Sequence, residues 1–196
     1  MAPSPPLLKI TCKSTKCDSR VSLAERRHAF SSPLAEGVLP GIGGPCIACG
    51  TDTVEWGRCH ARDPEDHEGL FGNMRQELLR DHYWGLELPE HVLRKARKRS
   101  SEQLQTTIGL DLRRALVPDH FVEGRQTPFA ENEEKATIST CSQHAIGTCC
   151  RACLEKWHGI PHGVVLGGSE YDYLGGLAWI YVERRLELSD SNGSRR

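Results

Sequence analysis

Leu104, Ile108, Leu112 and Leu116 recur at every fourth position among polar neighbours. That spacing puts four aliphatic side chains on one stripe of a helix and predicts a buried face. A helical region opening at Pro89 precedes it, interrupted near Ser100-Ser101, and Pro118 ends the pattern. Further upstream, Asp63-Pro64-Glu65-Asp66 has the chemistry of a helix start. It offers a side-chain acceptor, a proline at the first position and acids facing the positive end of the helix dipole. Phe71, Met74, Leu78 and His82 would then share one stripe. Near the end of the chain, Ser169 is expected to cap a last helix that turns Leu174, Leu177 and Tyr181 inward, although Gly175-Gly176 weakens it.

Elsewhere the periodicity lapses. Met1 to Pro6 is rich in proline and serine and reads as frayed. Leu39 to Pro45 reads as a loop, because no Gly-Lys-Ser/Thr ending of a phosphate cradle follows its glycines. Residues 119–135 are polar and loop-like, and 189–196 read as a disordered tail. Thr53-Val54-Glu55-Trp56 reads as a short strand. No stretch approaches the roughly 18 consecutive apolar residues of a spanning helix. No basic residue precedes the short apolar pair Leu7-Leu8, which argues against a secretory leader and makes a cytoplasmic location the expectation.

The nine cysteines change this picture by their grouping. Cys12-x4-Cys17 and Cys46-x2-Cys49-Gly50 supply four thiolates in two close pairs, the donor set that zinc takes tetrahedrally at about 2.3 Å. Gly50 suits the tight knuckle, and Cys59 or His60 could replace one ligand. The second group is His144, Cys149, Cys150, Cys153 and His158. Either Cys149 or Cys150 could open its pair; the two-residue gap favours Cys150, giving His144, Cys150, Cys153 and His158 as ligands. Close pairs in a chain without a leader read as metal ligands before disulfides, and an odd count leaves at least one thiol unpaired in any all-disulfide scheme. Two zinc ions per chain are expected.

The formal net charge of -1 gives no overall field to draw in nucleic acid. Locally, eight basic against four acidic residues between Arg94 and Arg125 leave a surplus of four positive charges. Its densest part is Arg94, Lys95, Arg97, Lys98 and Arg99, a candidate phosphate-contacting run or a solvated helix face.

Gly124-Arg-Gln-Thr-Pro128, Gln143-His144-Ala145 and Cys149-Cys-Arg-Ala-Cys153-Leu-Glu-Lys-Trp-His158-Gly-Ile-Pro161 together resemble a bacterial family catalogued as domain of unknown function 4186. The resemblance covers roughly 101–186 and implies a domain and its central motif, without an activity to carry over. The chain departs from that pattern at Cys141, the candidate spare thiol, and around Glu131 to Lys135.

The sequence thus predicts an α+β protein of two small zinc-stabilised modules. These are a zinc-ribbon-like module over 1–62, a helical connector with the basic run over 63–100, and a Cys/His zinc domain over 101–188, followed by a tail over 189–196. The expected role is zinc-stabilised binding of DNA or RNA. A zinc enzyme of unknown reaction, acting on nucleic acid by hydrolysis, and a protein-interaction adaptor are the alternatives. The enzyme requires an open metal position, with Glu155 or a free histidine as acid/base. A deaminase pattern is absent, because His144-Ala-Ile lacks the glutamate two residues on.

Overall fold

The computed structural model describes residues 10, 12–18, 44–46, 48–116, 136–161 and 163–187. Helices account for 64% of these residues and no sheet forms among them, so the expected α+β class is corrected to a helical one. The helices are α1 (Thr15–Asp18), α2 (Trp56–Ala61), α3 (His67–Met74), α4 (Leu78–Gly85), α5 (Glu90–Arg97), α6 (Ser101–Ala115), α7 (Ile138–Ala145), α8 (Arg151–His158) and α9 (Gly168–Leu186). Extended pairing among the described residues is limited to two isolated bridges, Ile10 with Cys46 and Cys12 with Glu77. No helix among the described residues is long and apolar enough to cross a membrane.

The chain forms two compact units, each discontinuous in sequence. The first takes residues 1–85 together with 152–162; the second takes 86–151 together with 163–196.

In the first unit the expected strand at Thr53 to Trp56 is absent, and Trp56 instead begins α2. The reason lies in Asn73. Its amide accepts from the Glu55 N–H at 2.9 Å and donates to the Glu55 carbonyl at 2.9 Å. One side chain therefore supplies both bonds that a neighbouring strand would have supplied. Asp63 does not cap α3. Its carboxylate accepts from the Glu65 N–H in a tight turn, and the helix starts at His67. Asp66 sits at the cap position but is taken by Arg58, which holds its carboxyl below the usual range. The stripe predicted over 71–82 is also broken. Phe71 and Met74 are buried, but the helix stops at Met74 so that Gln76 and Glu77 can pair with the Cys12 segment. After this break α4 buries Arg80, Tyr83 and Trp84, while His82 is exposed. Arg80 donates to Glu77 at 3.1 Å with both side chains buried.

Residues 152–162 complete this unit with the family-like Trp157-His158-Gly159 stretch. Trp157 packs on Trp56 at 5.2 Å between ring centroids, and the Lys156 ammonium lies 4.5 Å above the Trp56 ring. Gly159 closes α8 with φ +61°, and a Cβ there would meet the His60 ring at 3.0 Å. Both the backbone conformation and the close approach call for glycine.

In the second unit the four-residue stripe behaves as its spacing predicts. Leu104, Ile108, Leu112 and Leu116 are each at most 1% exposed. Ser100 accepts from the Gln103 N–H while Gln103 accepts from the Ser100 N–H, so the serine that breaks the helical region is the cap of α6. Helix α9 buries Leu174, Leu177 and Tyr181 on its inward face, against α6 and α7. Its cap differs from expectation, since Gly167 precedes the helix and donates to the Glu170 carboxylate at 2.9 Å. Buried Arg151 donates to the carbonyls of Leu116 and Val164, tying the end of α6 to the segment leading into α9. The readings made for 1–6, Pro118, 119–135 and 189–196 fall outside the described residues.

Candidate metal centre

Cys12, Cys17, Cys46 and Cys49 converge from the two pairs that the spacing identified, with their sulfurs all within 4.8 Å of one another. Three local structures place them. Cys12 is held by its bridge to Glu77 and by the neighbouring Lys13 N–H donating to the Gln76 carbonyl at 3.0 Å. Cys17 is carried by the single turn of α1. Cys46 and Cys49 lie on a knuckle closed by Gly50 N–H to Cys46 carbonyl at 2.8 Å and by Cys46 N–H to Thr51 carbonyl at 2.9 Å. Gly50 takes φ +74° there, the left-handed conformation that the turn requires. Cys12, Cys17 and Cys46 are buried, whereas Cys49 faces outward.

The sulfurs are graded in acidity. Burial pushes Cys46 up, but the backbone N–H groups of Cys12, Ala48 and Cys49 outweigh it and leave the thiol below its ordinary value. The Thr51 side chain and backbone hold Cys49 down at about 6. Cys12 is raised, chiefly by burial, and Cys17 is raised to about 12, chiefly by its hydrogen bond to Cys12. Cys46 and Cys49 are therefore the readier thiolate donors of the four, and Cys12 and Cys17 the more reluctant ones. Around a tetrahedral ion bound at about 2.3 Å, sulfurs stand about 3.8 Å apart. The Cys12–Cys49 separation of 4.0 Å already approaches that edge, so the four thiols fit a metal ion with little movement.

Cys59 and His60, the possible substitutes, are engaged elsewhere. The Cys59 sulfur is fully buried, accepts from Asn73 at 3.4 Å, and is pushed up to about 12 by burial. His60 Nε2 lies 2.9 Å from the Lys156 carbonyl, at the end of α8.

The second cluster is local to the start of α8. Cys149, Cys150 and Cys153 bring their sulfurs within 4.8 Å of one another, so Cys149 joins the pair that its spacing alone had not favoured. This set of mutually close ligand atoms consists of the three cysteines; His144 and His158 are buried, 1% and 0% exposed, but are not members of it. Cys141 belongs to neither cluster, and burial raises its thiol to about 12. Two groups of thiols can thus hold metal.

The basic run occupies α5 and the turn after it. Arg94, Lys95, Arg97, Lys98 and Arg99 are all exposed, and none forms an ion pair among the described residues. The alternation of buried Val92 and Ala96 with these cations turns one face of α5 inward and the charged face to solvent. A feature the sequence reading missed lies beside it, a cleft of about 420 Å³ between α5, α6 and the start of α7. Its residues come from three separate segments, and no local spacing announces it.

No solved structure matches the chain. The family resemblance noted at the cysteine motif holds, and it begins earlier than the motif suggested, taking in α4 and α5 as well. With a match over residues 68–183, the chain belongs to the family described as domain of unknown function (DUF4186).

Proposed function

We propose that the protein is a zinc-stabilised nucleic-acid-binding module. Four thiols within 4.8 Å, two of them shifted toward the thiolate, suit zinc, whose preference for sulfur and a closed tetrahedral shell makes it a structural ion here. The observation that supports the binding role is the run of five exposed cations on α5 and the turn after it, without ion partners among the described residues. Such a face gains by releasing counterions from a phosphate backbone and reads no bases. The test is fluorescence anisotropy of the zinc-loaded full chain with single-stranded and duplex oligonucleotides over a salt series. Affinity should fall steeply with salt, and Arg94/Arg97/Lys98→Glu should weaken binding to all sequences by at least tenfold. Unchanged affinity in that variant refutes the reading.

The three-thiol set favours a second reading. Three protein ligands leave a fourth position, which water fills in catalytic zinc sites and a histidine fills in structural ones. A structural site is the reading preferred here, with His144 or His158 as the fourth ligand beside Cys149, Cys150 and Cys153. Zinc per chain and thermal unfolding of His144→Ala and of His158→Ala separate the cases. Loss of the ion in one variant supports a structural site; full metal content and wild-type melting in both point to a bound water and a zinc enzyme.

A further inference from the structure

We propose that the cleft between α5, α6 and the start of α7 seats a phosphomonoester carried on a small ring bearing a hydrogen-bond donor, the chemistry of a nucleoside monophosphate or of a phosphorylated chain end. The cleft lies wholly within the second unit and encloses about 420 Å³, within the range of small-molecule sites. Its strongest mark is Ser139. This side chain is 1% exposed and lines the cleft, and its hydroxyl has no hydrogen-bond partner. A buried hydroxyl left unpaired is costly, so such a group in a cleft wall points to an occupant that pairs with it.

Around Ser139 the cleft is built for an anion. Ser139 is the second residue of α7, an eight-residue helix whose positive end opens here. Thr137 and Thr140 satisfy each other's backbone N–H in a capping box, at 2.9 and 3.1 Å, leaving the first-turn N–H groups of Ile138 and Ser139 for a ligand oxygen. Across the cleft stand Lys95 and Arg99, exposed cations without ion partners among the described residues. A dianionic phosphate meets charge, dipole and a hydroxyl donor together.

The remaining lining selects what carries the phosphate. Val92 and Leu104 are buried at 1% each and offer apolar wall to a ring. Asp111 also lines the cleft, 3.5 Å from Arg114, and its carboxylate would repel a bare anion while accepting from a hydroxyl or amino group. Phosphate and donor on one small molecule satisfy both walls.

This proposal shares only Lys95 and Arg99 with the nucleic-acid reading, so the two can fail separately. Calorimetric titration of the zinc-loaded full chain would use adenosine and uridine 5′-monophosphates, the matching nucleosides, inorganic phosphate, and trinucleotides with and without a 5′-phosphate. Either the nucleotides or the 5′-phosphorylated trinucleotide should bind at least tenfold more tightly than its unphosphorylated counterpart, the first naming a free nucleotide and the second a chain end. Inorganic phosphate should compete. Ser139→Ala removes one hydroxyl and should weaken that binding at least tenfold while leaving the salt slope for long oligonucleotides unchanged. Lys95→Gln, on the surface, should weaken it without altering the fold. Arg94/Arg97/Lys98→Glu should retain it, and its retention supports the cleft whatever becomes of oligonucleotide binding. Equal binding with and without phosphate, no binding by any phosphorylated probe, or an unaffected Ser139→Ala overturns the proposal.

Discussion

Asn73→Ala tests whether a side-chain amide has replaced a strand. Asn73 is 8% exposed and makes two 2.9 Å bonds to the backbone of Glu55, with a third, longer contact to Cys59 at 3.4 Å. A neutral hydrogen bond contributes about 1 kcal/mol net, and a desolvated backbone group left unpaired costs about 1–3 kcal/mol. Glu55 is itself exposed, so water reaches part of what the amide abandons, and the lower end applies. The expected loss is about 2 kcal/mol, most of it from the two backbone bonds. Trp56, next to Glu55, supplies the signal. Urea unfolding followed by tryptophan fluorescence should show a lower midpoint, and the amides of Val54 to Trp56 should exchange faster with solvent. Asn73→Asp keeps the acceptor and loses the donor, so it should expose the Glu55 carbonyl without freeing the Glu55 N–H. A loss below about 0.5 kcal/mol for Asn73→Ala, with unchanged exchange at Glu55, refutes the claim that this amide holds the segment between the knuckle and α2.

Leu112→Ala empties a site that is 0% exposed within the α6 stripe and should cost about 2–5 kcal/mol in chemical unfolding, whereas Leu110→Ala, at 48% exposed, should cost far less. Cys46→Ser should lower bound zinc by one ion per chain in native mass spectrometry and leave the ion of the second cluster in place, because the two thiol groups share no residue. Burial holds the Lys156 ammonium down to about 8 from 10.5, so the unfolded chain binds more protons between those values and stability should rise with pH across that window. Lys156→Met should lack the increment, read by urea unfolding at about pH 7.5, 9 and 10.

Some of this protein was determined by the sequence alone. The i, i+4 stripe of α6 needs only helical geometry to define its buried face, and Ser100 with Gln103 is a local cap that acts whatever surrounds it. The Cys46-x2-Cys49-Gly50 knuckle is equally local, since spacing and one glycine fix the turn. The central part of the family motif was legible because Cys149 to Pro161 is one continuous run of residues. The tertiary structure decided what depends on partners far along the chain. A strand exists only if a neighbour satisfies its backbone, and Asn73, 18 residues away, satisfied Glu55 from a helix instead. The segment after the knuckle therefore forms no strand, and the described residues are helical rather than α+β. Helix α3 ends at Met74 because Cys12 claims the backbone at Glu77, an interruption that no period within 67–85 announces. His60 pairs with a carbonyl 96 residues later, so its nearness to the cysteines in sequence misrepresented its role. The cleft at Ser139 is likewise a product of packing. A serine in a helix's first turn is unremarkable until α5 and α6 bury its hydroxyl and set two cations beside it.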